Sequence, residues 1–444
     1  MTGRFILHYL IKNGFKFVED RKDYSDKTFS CLISELGQFY QITVIFKKKN
    51  KSYVKATFYD SLKIIPMKVK DIAKSFNLPI SKLDIDYKKP RPRNPELTQE
   101  EIDYIKNDVK IVAMALKTLF DKGLTRMTAA SNALNDYKTG IGKSRFERLY
   151  PELSFEVDSD LRKSYKGGFT FVNPIYKGKE VSEGVVLDVN SLYPSVMYEK
   201  PLCYGEAIFF EGKYVEDKIY PLYIQSITCK FKLKKNKIPT IQIKDSFVFL
   251  PNQYIESTEN DFVTLVLTNI DLKLFFEQYD VSGEIYNCGW KFKSMTGLFT
   301  KYIDKWITEK NEGTIEGNKG KRTRAKLMLN SLYGKFAKSM KMVSKIPYEI
   351  GDDILRFDFG NPKQVKGLYL PVASFITAYA REKTIRTSQA IQDYSIQKYG
   401  ISKYYYSDTD SIHCGLSIDE LKQFCEIDDV KLRCLETRIN FFKS

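Results

Sequence analysis

Two acidic segments that lie far apart in the sequence carry side chains suited to binding divalent cations. Asp408, Thr409 and Asp410 follow a β-prone run that begins with three tyrosines and lie where we expect this strand to give way to a turn, and Asp188 closes the apolar run 185–187. Side chains two apart on a strand point the same way, so the carboxylates of Asp408 and Asp410 can converge. Clustered carboxylates repel one another unless a cation lies between them, and oxygen ligands suit Mg2+ or Mn2+. We therefore predict a two-metal site built from both segments; a solvated hairpin tip is the alternative.

A polar and basic stripe is expected on a helix between these two segments. Four side chains spaced by four, four and three residues fall along one side of it: Arg322, Lys326, Asn330 and Tyr333. Such a stripe is often only solvated surface. Gly334 favours a binding role, because it leaves the ring face of Tyr333 open to a partner.

A second candidate pair, Tyr104 and Asp108, lies near the N-terminus. Residues 98–101 read Thr-Gln-Glu-Glu, a capping box, so we predict a helix from there to about Asp121 that stops at Gly123. Residues four apart are neighbours on a helix face. The pair is therefore either functional or simply polar on a solvated face.

Two adjacent glycines follow Tyr165 and Lys166. Gly167 and Gly168 would let the backbone approach another group closely. A plain turn is the alternative interpretation.

The charge balance favours a polyanionic partner. Lys and Arg number 71 against 55 Asp and Glu, a formal net charge of +16 with a pI near 9.2, and the excess is spread along the chain. This suits a long nucleic-acid footprint, and a general basic bias is the alternative. Aromatic residues make up 14% of the chain, so some can stack on bases or sugars while most form the core.

Cysteine and histidine usage argues against a zinc site or a disulfide scaffold. The seven cysteines include no CxxC pair, and there are only two histidines. A reducing compartment is therefore expected. Residues 1–10 do not resemble a signal peptide, and no apolar run reaches the length of a membrane span.

Periodicity and turn residues predict the remaining elements. We expect a helix over 5–17 stopped at Gly14, strands over 39–46 and 53–59, a helix over 69–76, a loop at 90–95, a strand-rich binding insertion over 200–297, a helix over 297–310 interrupted by 311–320, a small insertion over 341–366, and an apolar segment over 368–384 that packs on the metal-bearing sheet.

Three motifs resemble those of the B-family DNA polymerases and occur in the same order. They read DVNSLYP at 188–194, KLMLNSLYGKF at 326–336 and YSDTDS at 406–411. The two insertions are similar to those of the protein-priming subgroup of phages and plasmids. The resemblance implies an α/β, or mixed α+β, fold. Its parts would be a right-hand polymerase palm with an antiparallel sheet, helical fingers and a partial ribonuclease-H-like exonuclease domain.

The resemblance also implies six segments. These are a truncated 3′–5′ exonuclease-like domain at 1–128, the first part of the palm at 129–199, a terminal-protein-binding insertion at 200–297, fingers at 298–338, a strand-displacement insertion at 339–366 and the rest of the palm at 367–444.

Three groups of functional residues follow from the resemblance. The catalytic carboxylates would be Asp188, Asp408 and Asp410, with two Mg2+ or Mn2+ ions held by Asp188, Asp410 and the Val189 carbonyl. The nucleotide would be bound by Lys310 and Lys326 at the triphosphate, Tyr193 beneath the sugar, and Asn330 and Tyr333 at the base pair. DNA contacts would come from Ser61, Leu62, Tyr165, Gly167, Gly168 and Thr409.

The chain departs from the family pattern in its exonuclease motifs and at its ends. Tyr104 and Asp108 match the third of three exonuclease motifs, and Lys82 with Asp84 resembles an auxiliary pair. The first motif, with its Asp and Glu, is absent, and we expect the second to be cut just before Gly3, so that its Asp is missing as well. One carboxylate cannot hold two metal ions, so we expect no proofreading. The thumb and its Lys-x-Tyr motif are also missing, so we expect a chain truncated at both ends.

The expected partners are DNA template and primer, deoxynucleotides and a terminal protein primer. We expect a monomer in the cytoplasm, the host cytoplasm if the gene is a phage gene. A remnant that binds only DNA or terminal protein is the alternative. An RNA polymerase or reverse transcriptase is disfavoured by Tyr193, which would clash with a 2′-hydroxyl.

Overall fold

The computed structural model describes residues 2–50, 52–86, 88, 96–181, 183–189, 191–242, 254–259, 261–350 and 354–423. The loop predicted at 90–95 lies outside these ranges. No helix within them combines the length and apolar character that crossing a bilayer requires. The cysteines within them are free thiols.

The α-helices follow one another at irregular intervals along the chain. They are α1 Thr2–Lys12, α2 Val69–Ser75, α3 Gln99–Phe120, α4 Ala129–Ile141, α5 Lys143–Leu149, α6 Phe155–Arg162, α7 Leu192–Glu199, α8 Asn269–Gln278, α9 Thr300–Ile315, α10 Lys319–Phe336, α11 Leu370–Tyr399 and α12 Ile418–Gln423.

In the described ranges, the strands form three four-stranded sheets and two small two-stranded ones. They are β1 Lys16–Phe17, β2 Thr28–Ile33, β3 Phe39–Lys49, β4 Ser52–Tyr59, β5 Thr170–Val172, β6 Val185–Asp188, β7 Leu202–Glu211, β8 Leu222–Leu233, β9 Val263–Thr268, β10 Tyr279–Met295, β11 Lys341–Met342, β12 Lys345–Ile350, β13 Ile354–Phe359, β14 Lys363–Gln364, β15 Tyr404–Asp408 and β16 Ser411–Cys414.

One compact unit comprises Met1–Tyr137, Lys305–Leu332 and Ser339–Lys366. Its main sheet has the order β1-β2-β3-β4, with β1 parallel to β2 and the other pairs antiparallel. Helix α1 places Leu7 and Leu10 in the core beneath this sheet. The hairpin β12–β13 belongs to the same unit and adds partly buried apolar side chains to that core.

The other unit comprises Lys138–Asp304, Tyr333–Lys338 and Gly367–Ser444. Its sheet β5-β15-β16-β6 is antiparallel throughout and carries the predicted acidic residues, so we name it the aspartate sheet. Helix α11 packs against β15 and β16 and is buried along most of its length. It ends at Gly400, whose φ of 71° is the left-handed conformation of a helix C-terminus.

The same unit contains a larger sheet of order β7-β10-β8-β9, with helix α8 packed on it. The α8 N-terminus is capped by the Thr268 side chain, which accepts a hydrogen bond from the Asp271 amide. Phe275 and Tyr279 lie in its core. This sheet falls within the segment predicted to be a strand-rich insertion, but α8 was not predicted, because its short apolar run between strands has no clear helical period.

Most predicted elements are present, with two corrections. The first helix stops before Gly14, as predicted, but it ends already at Lys12; Gly14 adopts a φ of 78° and 16–17 form strand β1. The interruption predicted over 311–320 is present but shorter: α9 continues to Ile315 and only 316–318 separate it from α10. Glu312 and Glu316 form ion pairs with Lys321 of α10, which supports helix through this charged stretch.

Candidate active site

The strand register brings two of the predicted acids into one row of the aspartate sheet. Asp188 lies opposite Ser411, Ser411 lies opposite Asp408, and Asp408 lies opposite Thr170. Residues directly opposed in an antiparallel sheet project to the same face. Asp188 and Asp408 are both exposed. Two carboxylates therefore point to one open face, two strands apart.

Asp410 lies in the turn between β15 and β16, at the point where the strand was expected to give way to a turn, so strand alternation does not set the direction of its side chain. Thr409 precedes it with a φ of 56°, the left-handed conformation that a tight two-residue hairpin turn requires. The Asp410 carbonyl accepts a 2.7 Å hydrogen bond from the Val189 amide, and the Thr409 amide donates a 2.7 Å bond to the Phe169 carbonyl. The turn is therefore held from both flanking segments.

Gly168 explains the double-glycine motif. A Cβ at this position would lie 2.6 Å from Thr409 Oγ1 and 2.7 Å from its Cγ2. At Gly167, by contrast, a Cβ would meet nothing within 4 Å. The close approach expected from sequence is therefore confirmed at Gly168, where the motif contacts the acidic turn.

Helix α11 supports the same turn from below. Thr384 Oγ1 donates a 2.8 Å hydrogen bond to the Thr409 carbonyl, and the Ser388 and Ser407 hydroxyls lie 3.0 Å apart. The apolar segment predicted to pack on this sheet forms the first half of α11, but the α11 side chains in the apolar core of the sheet, Ile385 and Ile391, lie just beyond that segment.

A buried ion pair that sequence reasoning missed fixes the Lys166–Gly167 backbone. Arg381 donates hydrogen bonds of 2.7 and 2.8 Å to the carbonyls of Lys166 and Gly167, and it pairs with Asp271 at 2.7 Å. Burial lowers the pKa of the Lys166 ammonium to about 8, with Asp271 opposing the shift. The available signal was the arginine that opens the charged triplet 381–383 directly after the apolar run 368–380.

Among the residues that the structure describes, hydroxyl groups bind the Asp408 carboxylate and no lysine or arginine pairs with it. Thr170 Oγ1 and Thr409 Oγ1 each donate a 3.3 Å hydrogen bond to Asp408 Oδ1. Burial and then the Asp408 charge raise the pKa of Tyr406. Burial lowers the pKa of His413, against the opposing effect of Asp408. These groups leave the carboxylate charge uncompensated.

The carboxylate oxygens at this end of the aspartate sheet are the type of ligand that suits Mg2+ or Mn2+. Across the described ranges, no three or more acidic, histidine or cysteine side chains are grouped closely enough to form a metal site alone. Mg2+ in nucleotide enzymes is commonly bound by one or two carboxylates together with substrate phosphates. The open row formed by Asp188 and Asp408 fits that mode of binding.

Tyr193 on α7 stacks on Tyr333 of α10, with ring centroids 3.9 Å apart and an interplanar angle of 23°. Burial and then the neighbouring Tyr333 raise the pKa of Tyr193, so both rings stay neutral. The expectation that Gly334 leaves a Tyr333 face open therefore needs correction, because Tyr193 covers one face. Sequence spacing could not have shown this long-range contact.

The predicted basic stripe is present on α10. Lys326 and Asn330 are exposed. Lys310 lies on α9 and is half-buried. Burial is the larger cause that lowers its pKa, and the charges of Arg322 and Lys326 lower it further. The three cations therefore lie close enough to repel one another.

The exonuclease-like residues form a separate cluster. Tyr104 and Asp108 lie on one face of α3, as the capping box and their spacing predicted. Lys82 Nζ lies 2.8 Å from Asp108 Oδ2 and also contacts the Tyr104 hydroxyl. Asp84 is exposed. Ser61 and Leu62 lie in a short 3-10 helix, Ser61–Lys63, and Leu62 is 52% exposed.

Comparison with known proteins gives consistent results for sequence and structure. The family model described as DNA polymerase type B, organellar and viral, matches residues 2–422. The DNA polymerase of Bacillus phage phi29 is 46% identical over 413 residues, which cover 93% of this chain and 69% of that protein. The DNA polymerase of Streptococcus phage Cp-1 is 32% identical over 420 residues, covering 93% and 68%.

Solved structures show the same similarity. Phi29 DNA polymerase complexed with primer-template DNA matches with a TM-score of 0.86 at 44% identity, over 97% of this chain and 71% of that chain. A ternary complex of the same polymerase with primer-template DNA and incoming nucleotides matches with a TM-score of 0.84.

Proposed function

The chain belongs to the organellar and viral type B DNA polymerases and is a DNA-directed DNA polymerase, and we propose that it transfers deoxynucleotides at the acidic edge of the aspartate sheet. Membership confirms the family resemblance of the three motifs and the mixed α/β fold. The observation that carries the proposal is the row that places Asp188 and Asp408 on one open face beside the Asp410 turn.

The carboxylates would act as ligands for two divalent ions. Asp188, Asp410 and the Val189 carbonyl would hold the ions, and Asp408 would add negative charge beside them. When bound, the ions would lower the pKa of the attacking hydroxyl and neutralise the triphosphate and the leaving pyrophosphate. The sheet register and the hydrogen bonds to Val189 and Thr409 support this role, because they fix the acids before substrate arrives.

The nucleotide would be bound by residues of α7, α9 and α10. Lys310 and Lys326 would contact the triphosphate as point charges. Tyr193 would lie beneath the sugar and exclude a 2′-hydroxyl, and its stack on Tyr333 would keep the ring in place. Asn330 and Tyr333 would line the nascent base pair.

DNA would be contacted along the basic surface. Phi29 DNA polymerase is solved with primer-template DNA and with incoming nucleotides, which supports the same partners here. The contacts would come from Tyr165, Gly167, Gly168, Thr409, Ser61 and Leu62. The formal net charge of +16 supports a footprint over many phosphates.

Replication would be protein-primed. The relatives are phage DNA polymerases, and the two sheet-bearing insertions, 200–297 and 339–366, lie between the polymerase motifs. The first insertion would hold a terminal protein, whose side-chain hydroxyl makes the first attack. The second would encircle template and assist strand displacement.

The Tyr104–Asp108 cluster would not degrade DNA. Its one carboxylate already has the Lys82 ammonium as a partner, and a nuclease site that holds two ions needs several acids.

Primer extension tests the proposal. With a primer-template, deoxynucleotides and Mg2+, the unmodified chain should extend the primer, and Asp410→Ala should abolish extension while retaining DNA affinity. DNA affinity should fall steeply between about 50 and 200 mM salt. Salt-sensitive DNA binding without any extension would instead indicate a protein that only binds DNA.

A further inference from the structure

Helices α9 and α10 form a tight hairpin in which one point of contact admits no side chain. A Cβ on Gly313 would lie 2.7 Å from the Arg322 amide nitrogen and 3.1 Å from Lys321 Cβ. Only the turn 316–318 connects the two helices. The hairpin therefore has a close backbone contact near its tip, and the relative position of the two helices further along depends on their side chains.

One side of the hairpin carries ion pairs between the two helices. Lys321 lies 2.6 Å from Glu312 and 2.9 Å from Glu316, near the tip. Further along, Arg324 forms an ion pair with Glu309. Lys321 and Arg324 are three residues apart and so share a helix face.

The other side carries a group of three cations, Lys310, Arg322 and Lys326. Arg322 and Lys326 are four residues apart on α10 and share a face, while Arg324 lies two residues from each and points about 200° away. Lys310 of α9 is near both, as its lowered pKa reflects: burial is the larger cause, and the two charges add to it. Three like charges on one side repel and would open the hairpin unless the opposite side holds it.

The Glu309–Arg324 pair is placed to resist that opening. The Arg324 side chain is only 6% exposed and that of Glu309 is 26% exposed, whereas Glu312 of the tip pair is 50% exposed. Glu309 is also the immediate neighbour of Lys310 in sequence. The ion pair with the least solvent screening therefore adjoins the cation cluster.

The pair is poorly suited to a role in stability alone. Within the described chain, Arg324 Nε and Glu309 Oε2 are buried without a protein hydrogen-bond partner. A buried ion pair with incomplete hydrogen bonding is often no more stable than two packed apolar residues. A charged pair, unlike two packed apolar side chains, can fix the relative position of the two groups that it joins.

We propose that Glu309 and Arg324 are positioning residues that hold Lys310, Arg322 and Lys326 together as one binding group for the triphosphate of the incoming nucleotide. The proposal rests on the proposed function, in which Lys310 and Lys326 bind that triphosphate. Neither Glu309 nor Arg324 contacts the nucleotide; they act by keeping α9 in register with α10.

Single-nucleotide extension with dATP tests the proposal through KM and kcat measured separately. Glu309→Gln should raise the KM for dATP about tenfold and leave kcat within about twofold, because ground-state and transition-state binding are lost together. The Kd for primer-template, measured by fluorescence anisotropy, should not change. A merely structural defect would reduce the active fraction, hence kcat, without moving KM.

Two further variants complete the experiment. Glu312→Gln removes an exposed member of the same ion-pair series and should leave the KM for dATP within about twofold. The double variant Glu309→Arg with Arg324→Glu restores an ion pair of reversed polarity, with Glu312 and Lys321 as favourable neighbours three residues away. It should return KM to within about threefold of the unmodified chain.

The outcomes separate this proposal from the proposed function. An unchanged KM for Glu309→Gln, or a reversed pair with a KM as high as that single variant, overturns the positioning role. If thermal unfolding shows that Glu309→Gln is unfolded, the reversed pair decides alone: a KM near that of the unmodified chain supports the role, and a raised KM overturns it. If Lys326→Ala leaves KM unchanged, the triphosphate site of the proposed function fails instead.

Discussion

Asp408 and Asp108 are both conspicuous acids of this chain, yet their surroundings differ in charge. Asp408 accepts hydrogen bonds from the hydroxyls of Thr170 and Thr409. Asp108 is paired with the Lys82 ammonium at 2.8 Å. A hydroxyl orients a carboxylate and leaves its charge in place, whereas an ammonium at contact distance compensates it.

The difference indicates which acid remains available to a cation from solution. A divalent ion at Asp408 would meet an uncompensated carboxylate on an exposed sheet edge. At Asp108 the ion would first have to displace Lys82, whose ammonium has both Asp108 and Tyr104 as partners. Substitutions at the two acids and at their supporting residues test this contrast, and removal of the Asp408 charge should have the largest effect.

Asp408→Asn should reduce primer extension about 1000-fold, since the amide keeps the shape and the hydroxyl contacts but removes the charge beside the proposed ions. Thermal unfolding should be nearly unchanged because Asp408 is exposed. Steady-state extension rates at saturating deoxynucleotide measure the effect. If the variant extends primers at a rate within tenfold of the unmodified chain, the Asp408 charge is no more important for catalysis than that of Asp108.

Tyr193→Val should weaken discrimination against ribonucleotides about 100-fold, because the ring that would meet a 2′-hydroxyl is removed. The measurement is the ratio of kcat/KM for dATP to that for ATP. Tyr333 loses its stacking partner in this variant, so the kcat for dATP should also be recorded. Unaltered discrimination would mean that the nucleotide sugar lies elsewhere, and the steric-gate assignment would be wrong.

Local sequence patterns predicted much of the fold and part of the site. The capping box at Thr98 marked the start of α3, and that helix did bring Tyr104 and Asp108 to the same cluster. The alternating run at 39–46 and its neighbour at 53–59 are paired strands of one sheet. These features depend on neighbours within a few residues, which a sequence shows directly.

Features that depend on distant partners could not be predicted. The Asp271–Arg381 pair joins residues of two elements far apart in the chain, and no local period distinguishes either residue. The Tyr193–Tyr333 stack arises in the same way.

Gly168→Ala tests whether catalysis depends on the position of the turn that carries Asp410. The added methyl group would overlap Thr409 and displace the turn that carries Asp410, so extension should fall about tenfold. Gly140→Ala is the matched control, because a Cβ there meets nothing within 4 Å and the residue lies in helix α4. Equal extension by both variants would show that the close approach at Gly168 has no bearing on catalysis.

Asp108→Asn, which changes the acid paired with Lys82, should have the smallest effect of these variants. It should change neither primer extension nor Mg2+-dependent degradation of single-stranded DNA, and it should lower the free energy of unfolding by about 1 kcal/mol through loss of the ion pair. Burial lowers the pKa of Lys82, but hydrogen bonds to Asp108 and Tyr104 outweigh it and raise the pKa overall.

Because the folded-state pKa of Lys82 is raised, this contribution is fully present below the unfolded pKa of about 10.4 and is lost only as the pH rises above it. The free energy of unfolding, measured with urea, should therefore differ less between the unmodified chain and Asp108→Asn at pH 11 than at pH 7. Degradation of single-stranded DNA by the unmodified chain that Asp108→Asn abolishes would contradict the contrast, because the lysine-bound acid would then be a working metal ligand.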